Sequence, residues 1–311
     1  MGSRVYTQEE LNRMSGTNGF TYIDWLGELT IPIIDSHRRL IALLSGKPKD
    51  LLGWKKVTDS AAHLLESLLP RAHFTVGDSL HRRAHPKSPY PSVSRGLSHG
   101  GGQTAPGELC NHPDNIEITD EMLEHECFQR IVGFANCLFR IFAPILFAFY
   151  QAQMALLAAW NSALKWPFVG SVFAACTFNF GPQAVTCSHL DFGNLAWGWC
   201  SITSLGWFDA DRGGHLILWD LKLIIRFPPG ATILIPSAII RHSNIPVQPH
   251  EKQFSFVQYT AGGLFQWIRN GYMTDEDFLK KSTMESREAQ DAETETRWEE
   301  GVKMFSIIDD L

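Results

Sequence analysis

The residues best placed to do chemistry begin at Thr186–Asn194, TCSHLDFGN, where His189 and Asp191 stand one residue apart in an apolar stretch. On an extended segment, residues i and i+2 project to the same face, as two ligands of one ion would. The tripeptide alone is weak, because a chain with twelve histidines yields about one His-x-Asp by composition. A second copy, His112-Pro113-Asp114, is present. Their settings differ. His112 lies in a stretch dense in proline and glycine, and Pro113 suits a turn, whereas His189 and Asp191 close an expected strand. A third ligand should come from a strand remote in sequence but adjacent across a sheet, and His242, in AIIRHSN, supplies it. Two imidazoles and one carboxylate on one side of an octahedron leave three positions open, the arrangement of non-haem Fe(II) oxygenases.

Such a triad needs strands to carry it. After Lys165, short apolar runs follow one another: VFAACTFNF, AVTCSH, WCSITSLG, HLILWD, LKLIIRF, TILIPS, AIIRH and FSFVQYT. The intervening FDADRGG, FPPG and NIPVQPHE are turn chemistry, and many short strands without helices between them indicate an antiparallel sandwich or barrel. Upstream, FTYIDWLGELTIPIID reads as one or two strands and DSAAHLLESLL as a helix opened by Asp59 or Ser60. Residues 84–115 are rich in Pro, Gly and Ser and read as a long loop. A helix resumes at TDEMLEHECFQRIVGFANCLFRIF, capped by Thr119 or Asp120. The 24 residues from Ile141 to Leu164 carry no charge, but Pro144, Gln151, Gln153 and Asn161 interrupt them, so a buried core helix is expected rather than a membrane span.

Composition sets the class. With 44% hydrophobic and 19% charged residues and a net charge of −6, the chain reads as a globular protein with ample core. Six cysteines without a C-x-x-C pair argue against zinc ribbons and a disulfide framework. The start, MGSRVYTQEELNRM, has no apolar run of a signal peptide, and Tyr6 stands where a myristoylation motif wants Ser or Thr. Charge is polarised: Arg71, Arg82, Arg83, Lys87 and Arg95 face one acid, Asp78, over residues 71–95, while residues 275–300 hold ten acids and four bases. That pattern fits either a basic patch with an acidic tail or an ordinary solvated loop and helix. Gly96-Leu97-Ser98-His99-Gly100 matches G-x-S-x-G, but neither a buried strand before it nor a helix after it is readable, so a serine hydrolase is not expected.

The stretch from FNFGPQAVTCSHLDFGN through GGHLILWD and IIRHSN to FSFVQYTAGGLFQW resembles the TET/JBP group of 2-oxoglutarate- and Fe(II)-dependent dioxygenases, and within it the fungal branch associated with transposons. Upstream segments HRRAHP, GLSHGGGQTAPG and WPFVGSVFAACTFNFGP extend the resemblance over residues 20–272. It implies an α+β protein with a double-stranded β-helix (jelly-roll) core and a helical N-terminal elaboration. The expected division is 1–165, an α-rich elaboration carrying the basic Gly/Pro-rich loop 84–115 and part of the same catalytic unit. Residues 166–272 would form the core, and 273–311 an acidic C-terminal helix or tail. The implied activity is oxidation of a methyl group on a DNA base, 5-methylcytosine first and N6-methyladenine second, with Fe(II), 2-oxoglutarate and molecular oxygen. No membrane and no obligate protein partner are expected, and a nuclear address follows from the DNA substrate alone, with a cytoplasmic one as the alternative.

The resemblance also assigns residues. His189, Asp191 and His242 match the metal pattern. Asn194 matches a position that contacts the flipped base in some relatives, and its other reading is an amide capping a turn. Relatives carry Arg-x-Ser in the last core strand, the arginine forking onto the distal carboxylate of 2-oxoglutarate. This chain has Gln253-Phe254-Ser255. Ser255 is in place, and Gln253 brings no charge; Lys252 through a local bulge, Arg226 or Arg241 would have to compensate. A catalytically weak or inactive DNA-binding homologue is therefore the alternative to an active enzyme. Arg82 and Arg83 are candidates for clamping DNA phosphates, against the reading of a plain surface loop.

Overall fold

The computed structural model describes residues 4–17, 19–74 and 90–311. The chain begins with helix α1 (Gln8–Thr17), strands β1 (Thr21–Ile23), β2 (Ile31–Ile34) and β3 (Leu40–Ser45), and helix α2 (Leu51–Leu68). Strands β4 (Ser92–Ser98) and β5 (Gly107–Glu108) precede three helices, α3 (Pro113–Glu124), α4 (Glu126–Phe142) and α5 (Pro144–Trp160). Seven strands follow: β6 (Ala175–Asn179), β7 (Cys200–Trp207), β8 (Leu216–Leu218), β9 (Leu223–Ile225), β10 (Thr232–Ile235), β11 (His242–Asn244) and β12 (Lys252–Tyr259). Helices α6 (Gly262–Arg269), α7 (Asp275–Lys281) and α8 (Met284–Val302) close the chain.

Two sheets carry the molecule. The larger runs β2-β3-β10-β7-β12-β6-β4-β5 and the smaller β1-β9-β8-β11. Pairing is antiparallel throughout except β1 with β9. Four strands from before residue 165 thus complete the larger sheet on either flank of the later ones.

The period-2 alternation of a strand explains the layering. On β12, Phe254 and Phe256 are buried with Phe178 of β6, Leu205 of β7 and Val93 of β4 against Trp54, Ala61 and Leu65 of α2 and Phe128 and Ile131 of α4. Their odd-numbered neighbours Gln253, Ser255, Val257 and Tyr259 turn to the other face and line a cavity. A second cluster packs α5, through Leu146, Tyr150 and Leu157, with Trp197, Leu264 and Phe265. The apolar residues of the smaller sheet, Leu216, Leu218 and Ile225, close on Ile233 and Ile235 of β10.

Several expectations are corrected. The 84–115 stretch is not a continuous loop: its described part contains β4 and β5, and His112, rather than making a free turn, is the N-cap of α3, its ring accepting from the backbone of Asp114. The helix expected from Thr119 is two helices, because His125 leaves helical geometry and caps α4 by accepting from Cys127 N–H. Helix α2 begins at Leu51, capped by Asp50, rather than at Asp59. The charge-free run is split between the end of α4 and α5, which meet at 120°, and among the described residues no single helix is long and apolar enough to cross a membrane. AVTCSH forms no strand of its own and joins the fold through isolated bridges.

Candidate metal centre

His242 opens β11, paired with Leu218 of β8. His189 lies in an irregular segment that reaches it through a single two-way bridge, each backbone N–H donating to the other residue's carbonyl at 3.0 Å. The Asp191 N–H donates to Ser237 O at 2.9 Å. Main-chain bonds thus set the three Cα positions before any side chain is considered.

The ligand atoms of His189, Asp191 and His242 all lie within 4.8 Å of one another. His189 Nε2 stands 3.8 Å from one Asp191 carboxylate oxygen and His242 Nε2 stands 3.9 Å from the other. Those gaps exceed a hydrogen bond, yet two donors each about 2.1 Å from one ion can be up to about 4.2 Å apart. The tautomers follow from the backbone. His189 Nδ1 donates to Cys187 O at 2.7 Å and His242 Nδ1 to Ile240 O at 2.9 Å. A carbonyl can only accept, so each ring keeps its Nε2 lone pair for a metal. Two imidazoles in this tautomer and a carboxylate are a donor set that suits a divalent transition ion with open positions. His73, His112 and Asp114 also approach one another, but all three are exposed.

The triad sits in a cavity of about 550 Å³ between the two sheets. Its walls come from alternate positions of β4 (Ser92, Ser94), β6 (Thr177, Asn179), β7 (Ile202, Ser204) and β12, faced by Leu216, His242 and Asn244 of the smaller sheet. Of the cofactor candidates, Ser255 and Gln253 line it; Asn179 Nδ2 donates to Ser255 Oγ at 2.8 Å. Lys252 and Arg226 do not. Strand alternation turns Lys252 to the opposite face, where it pairs with Glu66 of α2, and Arg226 pairs with Asp211 at 2.7 Å outside the cavity. Arg241 is likewise not among the wall residues. Among the described residues, the wall contains no lysine or arginine.

Asn194 combines both of its readings. It closes the turn 191–194, its N–H donating to Asp191 O at 2.9 Å, and it lines the cavity with Nδ2 donating to Ser237 Oγ at 3.1 Å. Phe192, in the same turn, is exposed. Arg82 and Arg83 lie outside the described residues. Sequence reasoning missed Asn244, Asn179 and Ser204. Asn244 was within reach, since it stands two residues after His242 and so shares its face; the other two depend on strand register. Cys200 is no nucleophile: burial first, then the Asp191 charge, pushes its thiol up to about 12.

No family model and no curated protein matches the sequence. Among solved structures, NgTET1 in complex with 5mC DNA matches with a TM-score of 0.51 at 12% identity, over 83% of this chain and 92% of that one. An oxidoreductase of the 2OG-Fe(II) oxygenase family from Burkholderia pseudomallei (TM-score 0.34, 15% identity, 84% and 94% coverage) and OsALKBH1 (0.32, 10%, 70% and 96%) align at lower scores. The chain therefore shares the fold of the NgTET1 structure.

Proposed function

We propose that the chain is an Fe(II)- and 2-oxo-acid-dependent dioxygenase that oxidises a methyl group on a DNA base, with 5-methylcytosine as the first candidate and N6-methyladenine as the second. One observation carries the reading: His189, Asp191 and His242 converge inside a cavity, with both imidazoles locked by backbone carbonyls in the metal-binding tautomer. Support for DNA comes from the neighbour solved with 5mC DNA and from the resemblance in sequence, which also suggests the fungal branch and a nuclear address. We read the two facing sheets as the double-stranded β-helix. Residues 1–165 are taken to share one catalytic unit with 166–272, since their strands complete the same sheet, and 273–311 as an acidic C-terminal segment.

Iron bound there with a 2-oxo acid and dioxygen would supply the oxidising power that an unactivated methyl C–H requires. The chain's own residues do the rest. His189, Asp191 and His242 would hold the ion on one side only. The two sheets flank the cavity around it. Asn194 presents an amide to the edge of a base delivered by flipping, and Phe192 offers an exposed ring for stacking. Arg82 and Arg83 would engage the phosphate backbone.

The test is mass spectrometry of methylated duplexes incubated with Fe(II), dioxygen and excess 2-oxoglutarate. Hydroxymethylated base should accumulate with the native chain and disappear in Asp191→Ala. Gln253 favours a second reading, a DNA-binding homologue of little activity. Tight duplex binding with no oxidised base, whether 2-oxoglutarate or its 5-methyl ester is supplied, would select it over the enzyme.

A further inference from the structure

The far wall of the cavity has the wrong electrostatics for a dicarboxylate. Asn244 sets the pattern, because its amide orientation is fixed by backbone atoms. Its Oδ1 accepts from Thr186 N–H at 2.8 Å and its Nδ2 donates to Ala184 O at 2.8 Å. The same Nδ2 donates to Gln253 Oε1 at 3.1 Å, so the glutamine must present its oxygen to Asn244 and keep Nε2 as the donor end. Gly214 makes room for that end, since a Cβ there would come within 3.2 Å of Gln253 Nε2. Two further wall groups are left without partners. Asn179 is 4% exposed and Ser204 1%, and neither Asn179 Oδ1 nor Ser204 Oγ has a hydrogen-bond partner among the described residues. Buried polar atoms of this kind are costly unless something completes them.

Charge points the same way. A divalent ion beside Asp191 leaves one net positive charge, and the oxo-acid end of a co-substrate cancels it. A second carboxylate would be a buried anion facing an amide donor, an unpaired carbonyl oxygen and a hydroxyl, with no cation on the described wall to balance it. We infer that this cavity selects a 2-oxo acid whose far end is an uncharged hydrogen-bonding group, read by Gln253, Asn179 and Ser204, rather than 2-oxoglutarate itself. The inference rests on the proposed metal site and specifies the co-substrate class that accompanies it.

Isothermal titration tests it on the full chain loaded with Mn(II) in place of iron, so that binding is read without turnover. The probes are 2-oxoglutarate and its 5-methyl ester, which keeps the chelating end and removes the distal charge. The ester should bind at least about tenfold more tightly. Gln253→Arg and Gln253→Lys, which place a cation at the same position, should each reverse the order. Should one variant not fold by circular dichroism, the other serves; should neither fold, the native order decides. The inference is overturned if the native chain binds 2-oxoglutarate as tightly as the ester, or if a folded cationic variant keeps the native order. Failure of Mn(II) to bind, or binding undiminished in Asp191→Ala, would instead overturn the metal reading and the inference with it. A preference for 2-oxoglutarate alongside normal Mn(II) binding would leave the metal reading intact.

Discussion

Two histidines of this fold are equally hidden and oppositely employed. His242 turns its Nε2 to the cavity, whereas His215, fully buried, gives its Nε2 to the Tyr22 hydroxyl at 3.1 Å. Burial first, then the nearby Arg226 charge, pushes the His215 pKa down to about 4. The folded state therefore holds this ring neutral while the unfolded chain protonates it near its ordinary value. Stability from this group is complete above about pH 6.5 and is lost as pH falls toward 4. Denaturant titrations should show the native chain losing about 2 kcal/mol more than His215→Gln between pH 7 and pH 5; parallel curves would count against it. At this scale much was legible. The spacing of His189 and Asp191 and the choice of His242 over fifty residues away could be read from residue types and their order. Asn179 and Ser204 could not, because a polar residue in a strand declares neither its face nor its neighbour until the register is known.

Strand β12 shows what periodicity can convey. Its alternating phenylalanines mark one face as core, and the residues between them line the cavity. Strand β4 was read as loop because both its faces break the usual rule. Ser92, Ser94 and Ser98 face a polar cavity rather than solvent, so SVSRGLS lacks the apolar alternation of a half-buried strand. Gly206 of β7 ties these strands to the site. Its φ is +117°, and a Cβ would lie 2.2 Å from the Lys252 carbonyl oxygen, just before Gln253. Gly206→Ala should therefore both strain the backbone and push β12 outward, costing about 2–4 kcal/mol in urea unfolding. A cost below about 0.5 kcal/mol would show that the strand pair yields.

On the scale of the molecule, the segment after α8 is part of the framework. Phe305 is buried with Leu40 and Leu43 of β3, and Leu40 N–H donates to Ser306 O at 2.8 Å, so the stretch that follows the acidic helix is anchored to the core. The acids of that helix and the basic stretch before β4 give the chain its charge asymmetry, visible in the sequence, whereas the return to β3 was not, since helix composition says nothing of where a helix docks. If Arg82 and Arg83 each neutralise one phosphate, replacing both with alanine should reduce the slope of log K against log salt for duplex binding by about 1.8. An unchanged slope would remove them from the interface. The two-way backbone bridge between His189 and His242 carries a last consequence. The ligands are held in register by amide and carbonyl groups that have no stake in the ion, so a chelator would empty the site without dismantling it. Reloading would then proceed as simple recapture, at a speed set by diffusion into the cavity rather than by refolding of the chain.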